Sequence, residues 1–502
     1  MTIVNFLASC FFSEFRPLIS NKVVLLMLLS ELFKGIDVVL PKDDINIIDI
    51  ATKSSDVKEG SLFVALVGTK VDGHSYANQA FENGAVAILA QYDTKVLLPH
   101  IIVENTRIAL SLIWSNFLKN PAKDIKLFGV TGTNGKTTVT YLTQYILSQA
   151  GFTTGLIGTI ENLTGEGIQQ SKYTTPEPSE LQSLLLKMKN TKCTHIVMEV
   201  SSQAIAQDRV AGLTFEVGAF TNLSRDHLDY HLTMENYLNE KLKLMFLCKK
   251  AVINADDTYA NDFMNRAKFH YSFGIEKPAD FKAINIVHTA IGSKFTLLSP
   301  EGKFNAFIGI PGQFSVYNAL CSIAIAYASG LPVVKATEIL KFAKGVKGRM
   351  ETVDYFKNFS VIIDYAHTPD GLLNALKTLK EIPKEGRLIV LFGCGGDRDK
   401  TKRPIMGNIA CDYAGFVIVT SDNPRTEKPK AIIDDILKGM VDTKTKYEVI
   451  IDRRKAIYYA INNAKKGDII LLAGKGHETY QILNDKTIHF DEREVLHEAI
   501  LQ

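Results

Sequence analysis

The chain has 502 residues, of which 46% are hydrophobic and 22% charged, and it carries a net charge of +3. That length is too great for one hydrophobic core and points to about three domains. With so near-neutral a balance nothing calls for nucleic acid or an anionic membrane, and the basic residues are left for local use on phosphates and carboxylates.

In chain order, residues 1–26 come first. Val4 to Phe12 is mostly apolar, but no Lys or Arg precedes it and it falls short of the ~20 apolar residues of a membrane helix. Residues 1–26 meet neither condition, which leaves two readings, an N-terminal extension upstream of the domains that follow or a short membrane-seeking helix. Next come an apolar run, Ser61–Leu66, the segment Val71-Asp-Gly-His-Ser75, a helical pattern from Tyr76 to Gly84 and a strand, Ala85–Ala90. Locally this is a small α/β domain. Asn120-Pro121 and the charged Lys123-Asp124 mark a linker. Cys10, Cys193, Cys248, Cys321, Cys394 and Cys411 are scattered without a C-x-x-C pair, which suits buried thiols in a reducing cytoplasm better than disulfides or zinc.

The run Ile125–Val130 then enters Gly129-Val-Thr-Gly-Thr-Asn-Gly-Lys-Thr-Thr138, and a helical pattern (Val139, Leu142, Ile146, Ala150) leaves it and stops at Gly151. Strand, glycine-rich turn, Lys-Thr and helix make a phosphate-binding loop. Its amides and the helix N-terminus face phosphate oxygens, Lys136 adds charge, and Thr137 can hold Mg²⁺. The spacing is Gly132-x-x-Gly135-Lys136-Thr137, with Val130 where the usual pattern has Gly. The bland alternative is a glycine-rich turn with a solvated lysine. Strand-like runs recur at His195–Val200, Val217–Leu223 and Lys250–Asn254, the alternation of a parallel sheet. Glu199 ends one of them, placed to hold Mg²⁺ beside the loop or to cap a helix. His227 and His231 are four apart, a metal-ligand spacing on a helix, but no His-Glu-x-x-His accompanies them and zinc is rejected. Lys241, on a helical pattern, reads locally as a solvated lysine.

A boundary falls near Gly345–Arg349. Beyond it apolar strands at Val361–Tyr365, Leu388–Phe392, Phe416–Thr420, Tyr447–Ile451 and Ile469–Ala473 alternate with helical segments such as Leu372–Leu379 and Ile432–Met440. This is a doubly wound, Rossmann-like pattern without a Gly-x-Gly-x-x-Gly, and ligands of such sheets sit beyond the strands' carboxyl ends. The polar clusters fall at those ends: Ala366-His367, Gly393-Cys-Gly-Gly-Asp-Arg398, Ser421-Asp-Asn-Pro-Arg425 and Gly474-Lys-Gly-His-Glu478. In Asp422-Asn423-Pro424-Arg425 the proline fixes a turn and the arginine offers a carboxylate-binding fork. Arg398 supplies a second cation and Glu478 an anion for an ammonium. An Asx turn with an exposed arginine is the alternative.

Thr131-Gly-Thr-Asn-Gly-Lys-Thr-Thr138 resembles the ATP loop of the Mur ligases and the folylpolyglutamate synthases, which join an amino acid to a carboxylate at the expense of ATP. The resemblance to the Mur ligases covers nearly all of Met27–Gln502, and Met27-Leu-Leu-Ser-Glu-Leu-Phe-Lys-Gly35 is similar to the opening of their diaminopimelate-adding members. It implies a three-domain α/β architecture: a small N-terminal domain for the uridine nucleotide substrate (27–121), a central ATP-binding parallel-sheet domain (122–346) and a Rossmann-like amino-acid domain (347–502). It implies ATP as co-substrate on Gly132, Thr133, Asn134, Gly135, Lys136, Thr137, Thr138, Asn318 and Arg349, and Mg²⁺ on Thr137, Glu199 and His227. Lys136, Glu199, His227 and a carbamylated Lys241 become catalytic. His231 and Asp229 take structural roles. Ser54, Thr174, Thr175, Ser201, Gln207 and Arg209 would grip the UDP-N-acetylmuramoyl-L-alanyl-D-glutamate. Arg398, Asp422, Asn423, Pro424, Arg425, Gly474 and Glu478 would take meso-diaminopimelate, since Asp-Asn-Pro-Arg marks the members that add it.

The chain departs from the family at Lys53-Ser54-Ser55, where Asp-Ser-Arg is usual, at Tyr173, where Asn is frequent, and at Ser315. The rivals are a lysine-adding or folate-glutamylating ligase and, from another class, a phosphate-loop switch without ligation. The resemblance further implies small-molecule partners only, no nucleic acid, no stable membrane association, a monomer and a cytoplasmic location.

Overall fold

A computed structural model describes residues 26–68, 71–343, 345–353, 355–382, 385–484 and 486–501. The expectation for the N-terminal extension, apart from Leu26, lies outside the described residues. The chain forms two compact units that meet in sequence between Asn120 and Pro121.

The first unit holds a four-stranded parallel sheet, in the order β1 (Asp49–Ala51), β2 (Ser61–Val64), β3 (Ala85–Ala90), β4 (His100–Ile102). Phe63, Ala65, Ile88 and Ala90 pack with Ala77 and Ala80 of the helix Ala77–Glu82. That helix is shorter than its sequence pattern, because Asp72 accepts from the His74 amide and opens a 3-10 turn over Gly73–Tyr76.

The second unit contains two large sheets. The first has eleven strands: β5 (Lys126–Thr131), β6 (Thr154–Ile157), β7 (Glu161–Leu163), β8 (Ile168–Gln170), β9 (His195–Glu199), β10 (Phe215–Phe220), β11 (Cys248–Asn254), β12 (His270–Gly274), β13 (Phe281–Thr289), β14 (Gly292–Ser299) and β15 (Gly302–Ile308). Their spatial order is β8-β7-β6-β9-β5-β10-β11-β12-β13-β14-β15. The stretch from β6 to β13 is parallel. Residues 127–131 of β5 are all buried, as a strand covered on both faces must be. Phe128 and Val130 face one core, with Val139, Leu142 and Ile146 of the helix Lys136–Gln149, while Leu127 joins the other with Ile196, Phe215 and Phe220.

The second sheet holds β16 (Glu351–Val353), β17 (Ser360–Asp364), β18 (Leu388–Phe392), β19 (Phe416–Val419), β20 (Lys446–Val449) and β21 (Ile469–Ala473), in the order β16-β17-β21-β18-β19-β20. All but the edge strand β16 run parallel. Alternate residues face opposite cores, Ile362, Val390 and Leu471 on one side and Val361, Ile389 and Leu472 on the other. The helix expected over Ile432–Met440 runs Pro429–Leu437, because Pro429 takes the first helical position, where its missing N–H costs nothing. A hairpin of β22 (Tyr480–Leu483) and β23 (Lys486–His489) follows β21. The five described cysteines are free and buried, while Cys10 lies outside the described residues.

Candidate active site

The sheet order fixes the site. β5 lies between β9 and β10, with Glu199 paired in register to Val130 and Phe220 to Thr131. The strand carrying the acid and the strand leading to Thr221-Asn222 therefore flank the glycine loop at its carboxyl end. Thr221 Oγ1 donates to the Asn134 carbonyl at 2.6 Å, and the Asn134 amide donates to Asn222 Oδ1 at 3.0 Å. Gly132 has φ +149°, and a Cβ there would lie 1.9 Å from Thr221 Oγ1. At Gly135, φ +86°, it would lie 2.6 Å from Asn318 Oδ1. Both glycines are required by close approach as well as by backbone conformation.

Lys136 Nζ donates to the carbonyls of Gly132 and Thr133, both at 2.9 Å. Lys241 is not the solvated lysine of the local reading: it is 1% exposed and donates to the same Gly132 carbonyl at 2.9 Å. Burial, then the neighbouring Lys136 charge, hold its pKa well below the lysine range. Burial also lowers that of Lys136. Tyr237, one turn before Lys241, lies with its ring 4.7 Å from Nζ and its hydroxyl 3.2 Å from Thr133 Oγ1. Burial pushes its phenol up to about 12.

Thr137 and Glu199 come together. Thr137 Oγ1 donates to Glu199 Oε2 at 3.0 Å, and Glu199 is fully buried. Thr159 holds both carboxylate oxygens, its amide on Oε1 at 2.8 Å and its hydroxyl on Oε2 at 3.1 Å. The same hydroxyl is 3.1 Å from Thr174 Oγ1. Thr175 Oγ1 donates to the Glu199 carbonyl at 2.8 Å and accepts from the Ser201 amide at 3.0 Å. Arg209 donates to the Thr175 carbonyl at 2.8 Å and to Gln207 Oε1 at 2.9 Å. Its guanidinium lies 5.6 Å from the Tyr173 ring, so tyrosine at that position supports the arginine. Thr174, Thr175, Ser201, Gln207 and Arg209 thus form one polar floor continuous with Glu199. His227 holds a left-handed backbone (φ +53°), with its imidazole 3.6 Å from Asp226 and its ring 6.2 Å from that of Tyr237. His231 Nε2 lies 2.9 Å from Ser202 Oγ. Among the described residues no group of three or more His, Cys, Asp or Glu side chains is gathered for a metal ion. Ser54 belongs to the first unit, where its hydroxyl donates to Gln79 Oε1 at 2.7 Å.

A cavity of about 470 Å³ opens beside the loop, lined by Asn134, Gly135, Thr138, Phe314, Asn318 and Arg349 among others. The Arg349 guanidinium lies 5.1 Å from the Tyr365 ring, and its buried Nε has no hydrogen-bond partner among the described residues.

The remaining candidates meet at the carboxyl ends of the second sheet. Arg425 has φ +51°, a conformation costing a non-glycine residue on the order of 1 kcal/mol. It is held by backbone bonds to β22 and its flank, Arg425 N to the Ile482 carbonyl and Asn484 N to the Arg425 carbonyl. Its Nη1 donates to the Gly396 carbonyl at 2.8 Å. A Cβ on Gly395 would lie 2.9 Å from Arg425 Nη1 and 3.7 Å from Arg398 Cγ, so the two arginines flank Gly395. Gly474 leaves room for Asp422, whose Oδ2 a Cβ there would meet at 2.7 Å. Glu478 Oε2 accepts from Asn423 Nδ2 at 2.9 Å and from the buried Lys475 Nζ at 3.1 Å. The anion expected for an ammonium is therefore already shared with an internal cation.

Residues 130–326 match the Mur ligase middle domain, residues 348–476 the Mur ligase glutamate ligase domain, and residues 46–117 the Mur ligase family catalytic domain. The chain belongs to the Mur ligase family. It is 47% identical over 455 residues to the UDP-N-acetylmuramoyl-L-alanyl-D-glutamate–2,6-diaminopimelate ligase of Clostridium botulinum, covering 89% of this chain and 94% of that one. To the enzyme of the same name from Caldanaerobacter subterraneus it is 45% identical over 481 residues, 95% of this chain and 99% of the other. A solved structure of a ligase of that name superposes with a TM-score of 0.72 at 31% identity, over 95% of this chain and 99% of the other. Sequence reasoning missed the parts played by Thr159, Thr221 and Lys475 in this Mur ligase site. Two of them gave a signal that could have been read: Thr159 follows Gly158 at the end of a strand, and Lys475 stands inside the Gly474–Glu478 cluster.

Proposed function

We propose that the protein adds meso-diaminopimelate to the D-glutamyl residue of UDP-N-acetylmuramoyl-L-alanyl-D-glutamate at the expense of ATP, in peptidoglycan synthesis. One observation carries the reading furthest: the Asp422-Asn-Pro-Arg425 turn holds Arg425 across Gly395 from Arg398, while Asn423 of the same turn donates to Glu478. Two cations and an anion suit an amino acid with a second carboxylate and a second ammonium. We read residues 27–121, 122–346 and 347–502 as the domains for the uridine nucleotide, ATP and the amino acid.

Lys136, the loop amides and Arg349 are the groups we assign to the triphosphate, with Asn318 beside the base. The substrate γ-carboxylate, on the floor of Thr174, Thr175, Ser201, Gln207 and Arg209, attacks the terminal phosphoryl group of ATP, whose bond to the bridging oxygen breaks so that ADP leaves. The acyl phosphate formed has a good leaving group, which the diaminopimelate amine displaces. Positioning and charge stabilisation carry such a reaction. The oxygens of Thr137 and Glu199, 3.0 Å apart beside a glycine cradle, fit a hard cation. We assign Mg²⁺ to Thr137, Glu199 and His227, where it would neutralise phosphate charge. Lys241 is the residue we expect to carry a carbamate. Ser54 is assigned to the uridine nucleotide, and Asp422, Asn423, Pro424 and Gly474 to the amino-acid pocket.

We read the protein as a cytoplasmic monomer acting on small molecules, without nucleic acid or stable membrane association. Among the described residues no helix is long and apolar enough to cross a membrane. The deciding assay is phosphate release from ATP with the UDP-dipeptide and each candidate amino acid in turn. Release should require diaminopimelate; release with L-glutamate and a folate, or with no amino acid, would overturn the assignment.

A further inference from the structure

The two arginines assigned to the amino acid stand on separate loops, Arg398 after β18 and Arg425 after β19. Neither loop alone fixes the distance between them. Three bonds zip the loops together: Gly396 N to the Asn423 carbonyl at 2.9 Å, Arg425 Nη1 to the Gly396 carbonyl at 2.8 Å, and Thr426 Oγ1 to Asp397 Oδ1 at 2.7 Å. Beneath them lies an ion pair whose arginine is fully buried and whose carboxylate is half-buried. Arg403, fully buried on the helix Lys402–Tyr413, makes a two-pronged bond to Glu427, Nη2 to Oε1 at 2.8 Å and Nη1 to Oε2 at 3.0 Å. Glu427 Oε1 also accepts from the Asp397 amide at 2.7 Å, immediately before Arg398. Glu427 itself stands two residues after Arg425. One carboxylate therefore ties the loop of Arg398, the loop of Arg425 and a helix to a single point. The backbone is left-handed at Asp397 (φ +56°), immediately before Arg398, and at Arg425 (φ +51°), conformations on both sides of the tie that this packing must maintain.

We infer that Glu427, braced by Arg403, is a positioning and specificity-determining residue: it fixes where the loops of Arg398 and Arg425 stand relative to each other. It touches no substrate itself. The inference rests on the amino-acid site proposed above. A fork-to-carboxylate contact is directional, and misplacing one partner by about 1 Å costs on the order of 10²-fold in rate. Loosening the brace should therefore penalise an amino acid with a distal carboxylate and leave one without it nearly untouched.

Arg403 has a second acidic partner, Asp435 Oδ2, at 3.0 Å from Nη1. Asp435 contacts neither loop through any of these bonds, which supplies the control. The experiment measures KM for diaminopimelate, ATP and UDP-dipeptide, together with the diaminopimelate-to-lysine selectivity ratio, in the unmodified enzyme, Glu427→Gln and Asp435→Asn. Glu427→Gln should raise the KM for diaminopimelate and lower the selectivity ratio, each by about tenfold or more. The other two KM values should hold. Asp435→Asn should lower the melting temperature while keeping the ratio. An unchanged ratio in Glu427→Gln, an equal rise in all three KM values, or an equal loss of selectivity in Asp435→Asn would each overturn the inference. Should Glu427→Gln fail to fold, Glu427→Asp takes its place; the carboxylate, drawn back by one methylene, should give an intermediate ratio, and an unmodified ratio overturns the claim. Absence of ligation by the unmodified enzyme would sink the functional reading instead, and is seen before any variant is compared.

Discussion

Lys136 and Lys241 donate to one carbonyl oxygen, that of Gly132, each at 2.9 Å. Two ammonium groups cannot share a buried acceptor without strong repulsion, and burial already disfavours the charge on Lys241. A neutral amine is the form that adds carbon dioxide. The carbamate would then place an anion beside Lys136 and turn repulsion into attraction. Lys241→Ala should be nearly inactive in ligation, and small carboxylates should restore part of the rate. Intact-protein mass showing a free amine at Lys241 in fully active enzyme would be decisive against the carbamate.

Lys136→Ala should lose at least ~10²-fold in turnover, the scale seen when one preorganised contact to developing charge is removed. Folding should survive, because Lys136 bonds to carbonyls of its own loop. Steady-state phosphate release is the measurement. Turnover near that of the unmodified protein takes the loop out of the mechanism.

Thr159 holds both oxygens of Glu199 and reaches Thr174 with the same hydroxyl. Thr159→Val keeps the amide and the shape but removes the O–H. Losing one hydrogen bond to a charged group costs roughly 1.5–3 kcal/mol. Both ATP and UDP-dipeptide should bind or react less well, while Thr159→Ser stays close to the unmodified protein. An effect on the amino-acid KM alone would contradict the coupling.

How much of this was legible is clearest at particular residues. Glu199 and Lys136 were readable because a strand, a glycine turn and a helix are local patterns, and strand-end position follows from them. The buried strands β18 and β21 fell on the ranges their apolar runs predicted. Lys241 was not readable from its surroundings: nothing in Tyr237-Leu-Asn-Glu-Lys241 says that the helix face carrying it meets the phosphate loop. Arg403 and Glu427 were hidden for the same reason. A surface-looking Arg-Pro and Thr-Glu become one ion pair, its arginine fully buried, only when the helix Lys402–Tyr413 meets the loop after β19. The competing signal was their ordinary context in charged turns. Lys475 sat inside a quoted motif, yet its pairing with Glu478 depends on the turn bringing the two side chains together.

His477 lies half-buried beside Tyr365, with ring centres 4.9 Å apart. Burial, then the cations Arg349, Arg493 and Lys347, bring its pKa down to about 4. An unfolded histidine titrates near ~6.5. Between those values the unfolded chain binds a proton that the folded chain refuses. Stability should therefore fall as pH drops from about 6.5 towards 4 and gain no further loss from this group below it. His477→Gln removes this contribution. The difference in urea midpoint between pH 7 and pH 5 should be smaller for the variant; equal differences would show that His477 is protonated in the folded state.

Amino-acid choice tests the pocket itself. Diaminopimelate and L-lysine differ chiefly in one distal carboxylate. Arg425 is aimed by a left-handed backbone, by the bond of its Nη1 to Gly396 and by the flank of β22. A site built to pair that carboxylate leaves a desolvated guanidinium without its anion when lysine binds. Such a loss costs roughly 2–5 kcal/mol, which is ~30- to several-thousand-fold in selectivity. Glu478 adds little to the choice, because both amino acids offer a distal ammonium and because Lys475 already shares its carboxylate. Arg425→Lys keeps the charge but loses the fork, and cannot hold Gly396 and the ligand together through one planar group. It should raise the KM for diaminopimelate by at least ~10-fold and narrow the preference over lysine. Competition at equal concentrations, with products separated by mass, reads the preference directly. Comparable lysine incorporation by the unmodified protein would remove the specificity claim and leave ATP-dependent ligation standing.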